Sequence, residues 1–133
     1  MRESEILSWR GIAFEEVCLQ HIEQIKQALG IAGISSAESS FVLRGSDDQE
    51  GIQIDLIIDR ADDVVNVCEM TFCQSEYVVT KSYADKINKR MLALENVFVG
   101  KTLRPTLITS APARHNEYAD VFVSMICLDD LFG

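Results

Sequence analysis

The chain has 133 residues, 47% of them apolar and 25% charged, with a net charge of −9. That length buries a core without disulfides or structural metal and reads as one domain, 1–133. The negative total excludes a general nucleic-acid coat protein, whose phosphate contacts need Lys and Arg. No apolar run approaches the ~20 residues that cross a bilayer. The opening MRESEILS lacks a signal peptide's apolar core, so a cytoplasmic location is expected.

Residues from about Arg10 to Leu29 read as a helix. Phe14, Val17, Cys18, His21, Ile22, Ile25, Ala28 and Leu29 recur at helical spacing, and Gly30 supplies a stop. SSFVLRG is a first strand, ending at the polar loop SDDQE. Residues 51–59 and 64–72 are strands apolar on both faces, as in a sheet covered on each side by helices. The short loop between them predicts an antiparallel hairpin. From about Ser82 to Phe98 a second helix buries Tyr83, Ile87, Met91, Leu94 and Phe98, with Ser82 and Asp85 as a capping-box-like start. LRPTLITS and DVFVSMICL read as the last two strands, and DDLFG closes the chain, with Asp129 and Asp130 capping a short helix. The order α-β-β-β-α-β-β predicts an α/β (α+β) fold, a mixed central sheet flanked by helices.

The side chains that break this pattern are carboxylates. A three-residue loop from Ala61 to Asp63 sets Arg60 opposite Val64, Asp55 opposite Glu69 and Thr71 opposite Gln53. Two desolvated carboxylates side by side repel unless a counter-charge is present. Mg²⁺, or Mn²⁺, suits such a pair with water and phosphate. Glu15 borders the apolar stripe of the first helix and is a third candidate, its plainer reading being a helix-edge glutamate near the positive end of the helix dipole, whereas Glu16 points to solvent. The plainer alternatives are a salt bridge from Asp55 to Arg60 or to a base of the second helix, and a strand-end Glu69 reaching water. Residues 81–104 hold six bases and two acids, a local +4 against −13 elsewhere. Lys81, Lys86, Lys89 and Arg90 from this segment are the candidate nucleic-acid contacts. The four cysteines fit no zinc spacing and read as buried thiols. His21 reads as a hydrogen-bonded core residue, and Trp9 and Phe14 as packing the helix onto the sheet.

An acid on the first helix, Asp on the second strand and Glu-x-Lys on the third form the pattern of the PD-(D/E)XK, restriction-endonuclease-like superfamily. More narrowly, WRGIAFEEVCLQHIEQIKQALGI, QIDLIIDR followed by VNVCEMTF, and LDDLF resemble the nuclease-like C-terminal domain of prokaryotic AAA-type ATPases. The resemblance implies metal binding by Glu15, Asp55 and Glu69, with Gln53 in support, and a domain cut from a longer ATPase. Thr71 stands where the superfamily carries a lysine that positions the attacking water. Losing such a group costs ~10²–10³ in rate. Lys81 is the candidate substitute, with a solvated side chain as the plainer reading. Three functions follow as expectations. The first is a catalytically weakened domain that binds nucleic acid or regulates its ATPase. The others are an active Mg²⁺-dependent DNA or RNA endonuclease and a structural dimerisation domain; a homo-oligomer stays open.

Overall fold

A computed structural model describes residues 3–48 and 50–132. Helices α1 (Glu3–Leu19) and α2 (Ile22–Ala28) precede strands β1 (Ser36–Leu43), β2 (Ile52–Arg60) and β3 (Val64–Thr71). Helix α3 (Lys81–Glu95), β4 (Thr102–Thr109), a 3₁₀ turn (Ala119–Val121), β5 (Ser124–Cys127) and α4 (Leu128–Phe132) complete the chain. The five strands form one sheet in the order β1-β2-β3-β4-β5. The first three run antiparallel, and β4 and β5 join in parallel. This is the expected mixed sheet flanked by helices.

Each face of the sheet carries its own core. Phe14 and Cys18 of α1, Ile25 of α2 and Leu131 of α4 pack on Leu56, Ile58, Cys68, Ile108 and Ile126. On the opposite face Leu94 of α3 packs with Ile54, Ile57, Val65 and Val67, and Ile87 packs with Leu107. Burial on both faces explains why β2 and β3 read as nearly continuous apolar runs.

Several local expectations are corrected. The predicted first helix is two helices, broken at Gln20 and His21. His21 leaves helical backbone geometry (φ −127°, ψ 39°), its N–H reaches only back to the Cys18 carbonyl, and its Nδ1 donates to the Val17 carbonyl at 2.7 Å. A side chain that takes a backbone acceptor competes with the helical ladder. Gly30 does stop α2: at φ 76° it lets its own N–H reach Gln27 and the N–H of Ile31 reach Lys26, closing the last turn. Trp9 is 67% exposed and does not pack on the sheet, whereas Phe14 does. Helix α3 starts at Lys81, capped by Thr80 Oγ1 accepting from the Tyr83 N–H, and it ends before Phe98. Ser82 therefore lies inside the first turn. Of DVFVSMICL only Ser124–Cys127 is strand. Asp130 accepts from the Cys127 N–H and so caps α4.

The hairpin between β2 and β3 has the expected register: Leu56 faces Cys68 and Asp59 faces Val65. Asp63 takes the left-handed conformation (φ 63°) that a three-residue loop needs, and Asp tolerates it well. At the hairpin's base Arg60, 8% exposed, donates to both oxygens of Asp62 and to Asn66 Oδ1, and Asn66 donates to Thr106 Oγ1. This chain of bonds ties β2, β3 and β4 together where the core is polar.

Candidate functional site

A fault in β2 sets the site. Between the pairs Ser39↔Ile57 and Phe41↔Ile54, β1 has one residue, Ser40, and β2 has two, Asp55 and Leu56. Such a bulge exchanges faces and re-aims side chains. Ile54 and Ile57 thereby both face α3, while Leu56 and Ile58 face α1 and α2. Asp55 sits at the exchange. The regular β2–β3 pairing reaches Leu56↔Cys68, one residue short of the expected Asp55–Glu69 pair and three short of the expected Gln53–Thr71 pair.

The two carboxylates consequently meet different neighbours. Asp55 is in side-chain hydrogen-bonding contact with Glu15 of α1, and Gln53 Nε2 donates to its Oδ1 at 3.3 Å. Burial raises the Glu15 pKa first, and the Asp55 charge and the hydrogen bond raise it further. A protonated Glu15 donating to Asp55 relieves the like-charge contact. Glu16, one position on, is exposed.

Glu69 faces α3. Arg90 Nη1 lies 2.6 Å from Glu69 Oε1, with both side chains largely buried. Burial raises the Glu69 pKa, Arg90 and then Lys86 pull it down, and Asp55 adds a smaller upward push. The salt bridge from a base of α3, weighed for Asp55 in the sequence, thus falls on Glu69. Arg60, the other partner weighed for Asp55, goes to Asp62 and Asn66.

Thr71 continues the α3 face of β3. Its side chain is in hydrogen-bonding contact with the phenol groups of Tyr77 and Tyr83. Those rings stand edge to face with centroids 6.4 Å apart. Burial raises both phenol pKa values, and the Glu69 charge adds to this. The position expected to hold lysine is therefore a neutral threonine against two neutral tyrosines.

Beside Arg90 opens a cleft of about 970 Å³ bordered by α3, by Asp48 and by Glu50, Gly51 and Ile52. Lys81, Lys86, Lys89 and Arg90 line one wall at helical spacing; Asp48, Glu50 and Asp85 also border it. Lys81, Lys86 and Lys89 are exposed. Lys81 opens α3 on this cleft, while Thr71 lines a separate cleft of about 540 Å³ with Gly11 and residues 70–75. Lys101, from the same basic segment, is instead paired with Asp59 at 2.6 Å.

The donor chemistry of Glu15, Asp55 and Glu69 suits a hard divalent cation. Among the described residues no three Asp, Glu, His or Cys side chains group closely enough to hold a metal ion, and Arg90 already occupies Glu69. All four cysteines are free, Cys18 and Cys68 within the core; burial pushes the Cys18 thiol up to about 12 and Cys68 up as well. Cys18 and Cys68 are inert packing groups, whereas Cys73 and Cys127 are only partly buried, not the core thiols expected.

The sequence reading placed Arg90 only in the basic surface and passed over Tyr77 and Tyr83 as site residues. A signal for Arg90 was present. Tyr83, Ile87, Arg90 and Leu94 follow one another at i, i+4, i+7 and i+11, so Arg90 occupies the buried stripe of α3.

Fold and site define a mixed-sheet α/β domain with a carboxylate–arginine centre beside a basic helix. No family model matches the chain, and no curated protein matches it. Among solved structures it is similar to the crystal structure of AF1548, a protein of unknown function. The TM-score is 0.53 and the identity 18%, over 80% of this chain and 55% of that one. At this identity the likeness shows the fold alone, and the chain spans about half the length of that protein. Among the described residues no helix is long and apolar enough to cross a membrane.

Proposed function

We propose that the chain is a degenerate nuclease-fold domain that binds nucleic acid or regulates an AAA-type ATPase to which it is attached. The observation that carries this reading is the occupation of Glu69 by Arg90. The carboxylate matching a metal ligand of the PD-(D/E)XK pattern has a buried cation of its own, and the neighbouring lysine position holds Thr71 packed on Tyr77 and Tyr83. The order of two helices, three strands and a helix, with acids on α1, β2 and β3, supports the nuclease ancestry. Binding falls to Lys81, Lys86 and Lys89, which line the cleft and need no metal. Trp9, Ile12 and Leu19, exposed on α1, supply an apolar surface for an ATPase or a second copy.

A Mg²⁺-dependent endonuclease is the second reading. The Glu15–Asp55 contact favours it, since two carboxylates held together invite a cation. It requires Arg90 to leave Glu69.

The test is a labelled DNA or RNA oligonucleotide followed for binding in chelator and for cleavage in Mg²⁺ or Mn²⁺. The expected result is salt-sensitive binding, weakened by Lys86→Ala and Lys89→Ala on every sequence, with no cleavage. Rapid cleavage that stops in chelator and with Asp55→Asn would establish the second reading. Absence of binding at low salt would leave only the regulatory half of the first.

A further inference from the structure

Arg90 belongs to two places at once. Its guanidinium pairs with Glu69 at 2.6 Å, and its side chain lines the α3 cleft beside Lys86 and Lys89. The Glu69 side chain is 12% exposed and that of Arg90 18%, and it is Arg90 that lines the cleft, within reach of a ligand there. A guanidinium carries five N–H donors in a planar fork that fits a carboxylate or a phosphate equally well. The Arg90–Glu69 contact shows one hydrogen bond, from Nη1, leaving donor capacity on the same group.

We propose that Arg90 is a shared cation for which Glu69 and a nucleic-acid phosphate in the α3 cleft compete, so that Glu69 restrains phosphate binding by this domain. The proposal rests on the nucleic-acid half of the proposed function and adds its regulation. In the free protein Glu69 holds Arg90 against β3. A phosphodiester seated on Lys86 and Lys89 draws the guanidinium outward and leaves the carboxylate without its partner. Each ligand of Arg90 then weakens the hold of the other, because the coupling is reciprocal. A nuclease-type carboxylate would thereby become a device that sets affinity.

The experiment measures fluorescence-anisotropy binding of a labelled DNA oligonucleotide in chelator, over a series of salt concentrations. The variants are the parent, Glu69→Gln, Arg90→Met, their combination, and Asp85→Asn. Glu69→Gln keeps the shape but loosens the hold on Arg90. It should tighten binding about tenfold, the worth of one charge-assisted contact. The salt slope should steepen by about one phosphate's share. The gain should vanish when Arg90→Met is added. Asp85→Asn also removes one negative charge at the cleft, and its smaller gain should persist without Arg90. A Glu69→Gln gain equally large with Arg90→Met would be a bulk charge effect and would overturn the proposal, as would no gain at all. Binding absent from every variant would overturn the nucleic-acid reading as well, which separates the two failures. A direct measurement stands beside the variants: the Arg90 Nε–H resonance of the parent should shift on adding oligonucleotide, and an unmoved resonance at saturation would refute the competition.

Discussion

Arg90→Met tests the energetic half of the site. Methionine keeps most of the stem that packs on the sheet, so what is lost is the charge. Removing one partner of a buried pair costs ~3–5 kcal/mol, because the other charge stays behind uncompensated. Here the Glu69 and Arg90 side chains keep 12% and 18% exposure, and Lys86 still acts on Glu69. We therefore expect a loss of about 2–3 kcal/mol near neutral pH, discounted from that range for residual screening. For a domain of this size that is about 8–12 °C in Tm. The pH dependence carries the sharper signature. The folded-state pKa of Glu69 is already above its unfolded value of 4.5, mainly through burial. Its contribution to stability is thus fullest below that value and is lost as pH rises through the folded pKa. Without Arg90 the folded pKa rises further. The deficit of Arg90→Met against the parent should shrink as pH falls toward the unfolded value of 4.5 and should grow as pH rises. Denaturant melts across that range measure it, and Glu69→Gln combined with Arg90→Met should flatten the profile. A deficit independent of pH would mean that Arg90 contributes only packing, and the ion pair would lose its place in the reasoning.

Asn66→Ala should cost about 2–3 kcal/mol in denaturant melts, because it strips partners from the buried Arg60 and Thr106, and unmet buried groups cost ~1–3 kcal/mol each. A change below about 0.5 kcal/mol, the ordinary surface value, would show that water replaces the amide. Thr71→Lys alone should not produce cleavage in Mg²⁺ or Mn²⁺, since its ammonium gives Glu69 a second cation while Arg90 still holds it. Gain of metal-dependent cleavage should require Thr71→Lys together with Arg90→Met and an intact Asp55, and cleavage by the single variant would show that Arg90 is no obstacle.

The strands were legible because burial on both faces writes itself as unbroken Ile, Leu and Val, and because a three-residue loop fixes register. Arg60 to Val64 is enough to set Leu56 opposite Cys68. The face of Asp55 was not legible in the same way. Strict alternation carries Asp55 and Glu69 to one face, but the extra residue in β2 opposite Ser40 lies in the pairing with β1, which a hairpin argument never consults. The helix break at His21 escaped for a related reason. The apolar spacing runs on from Phe14 to Leu29 without interruption, and only the bond from the imidazole to the Val17 carbonyl shows that the backbone turned. Both misses are local departures from a period that the side chains still obey.

Arg90 is the more instructive residue. A base among five others in a 24-residue segment reads as surface charge, and Lys81, Lys86 and Lys89 are that. Its position relative to Tyr83, Ile87 and Leu94 puts it instead on the side of α3 that the sheet covers, where a guanidinium needs a carboxylate. Glu69 is the carboxylate on the facing strand, and the demand runs both ways: an acid amid Val65, Val67 and two tyrosines needs a cation. A divalent ion is one answer to that demand and a neighbouring arginine is another. Two charges that each lack water settle on one another unless a ligand offers either of them something better. Arg90 is the one with a second exit, because the wall it shares with Lys86 and Lys89 opens on a cleft of about 970 Å³. Under the proposed competition, a ligand bound on the α3 side would act on Glu69 through Arg90.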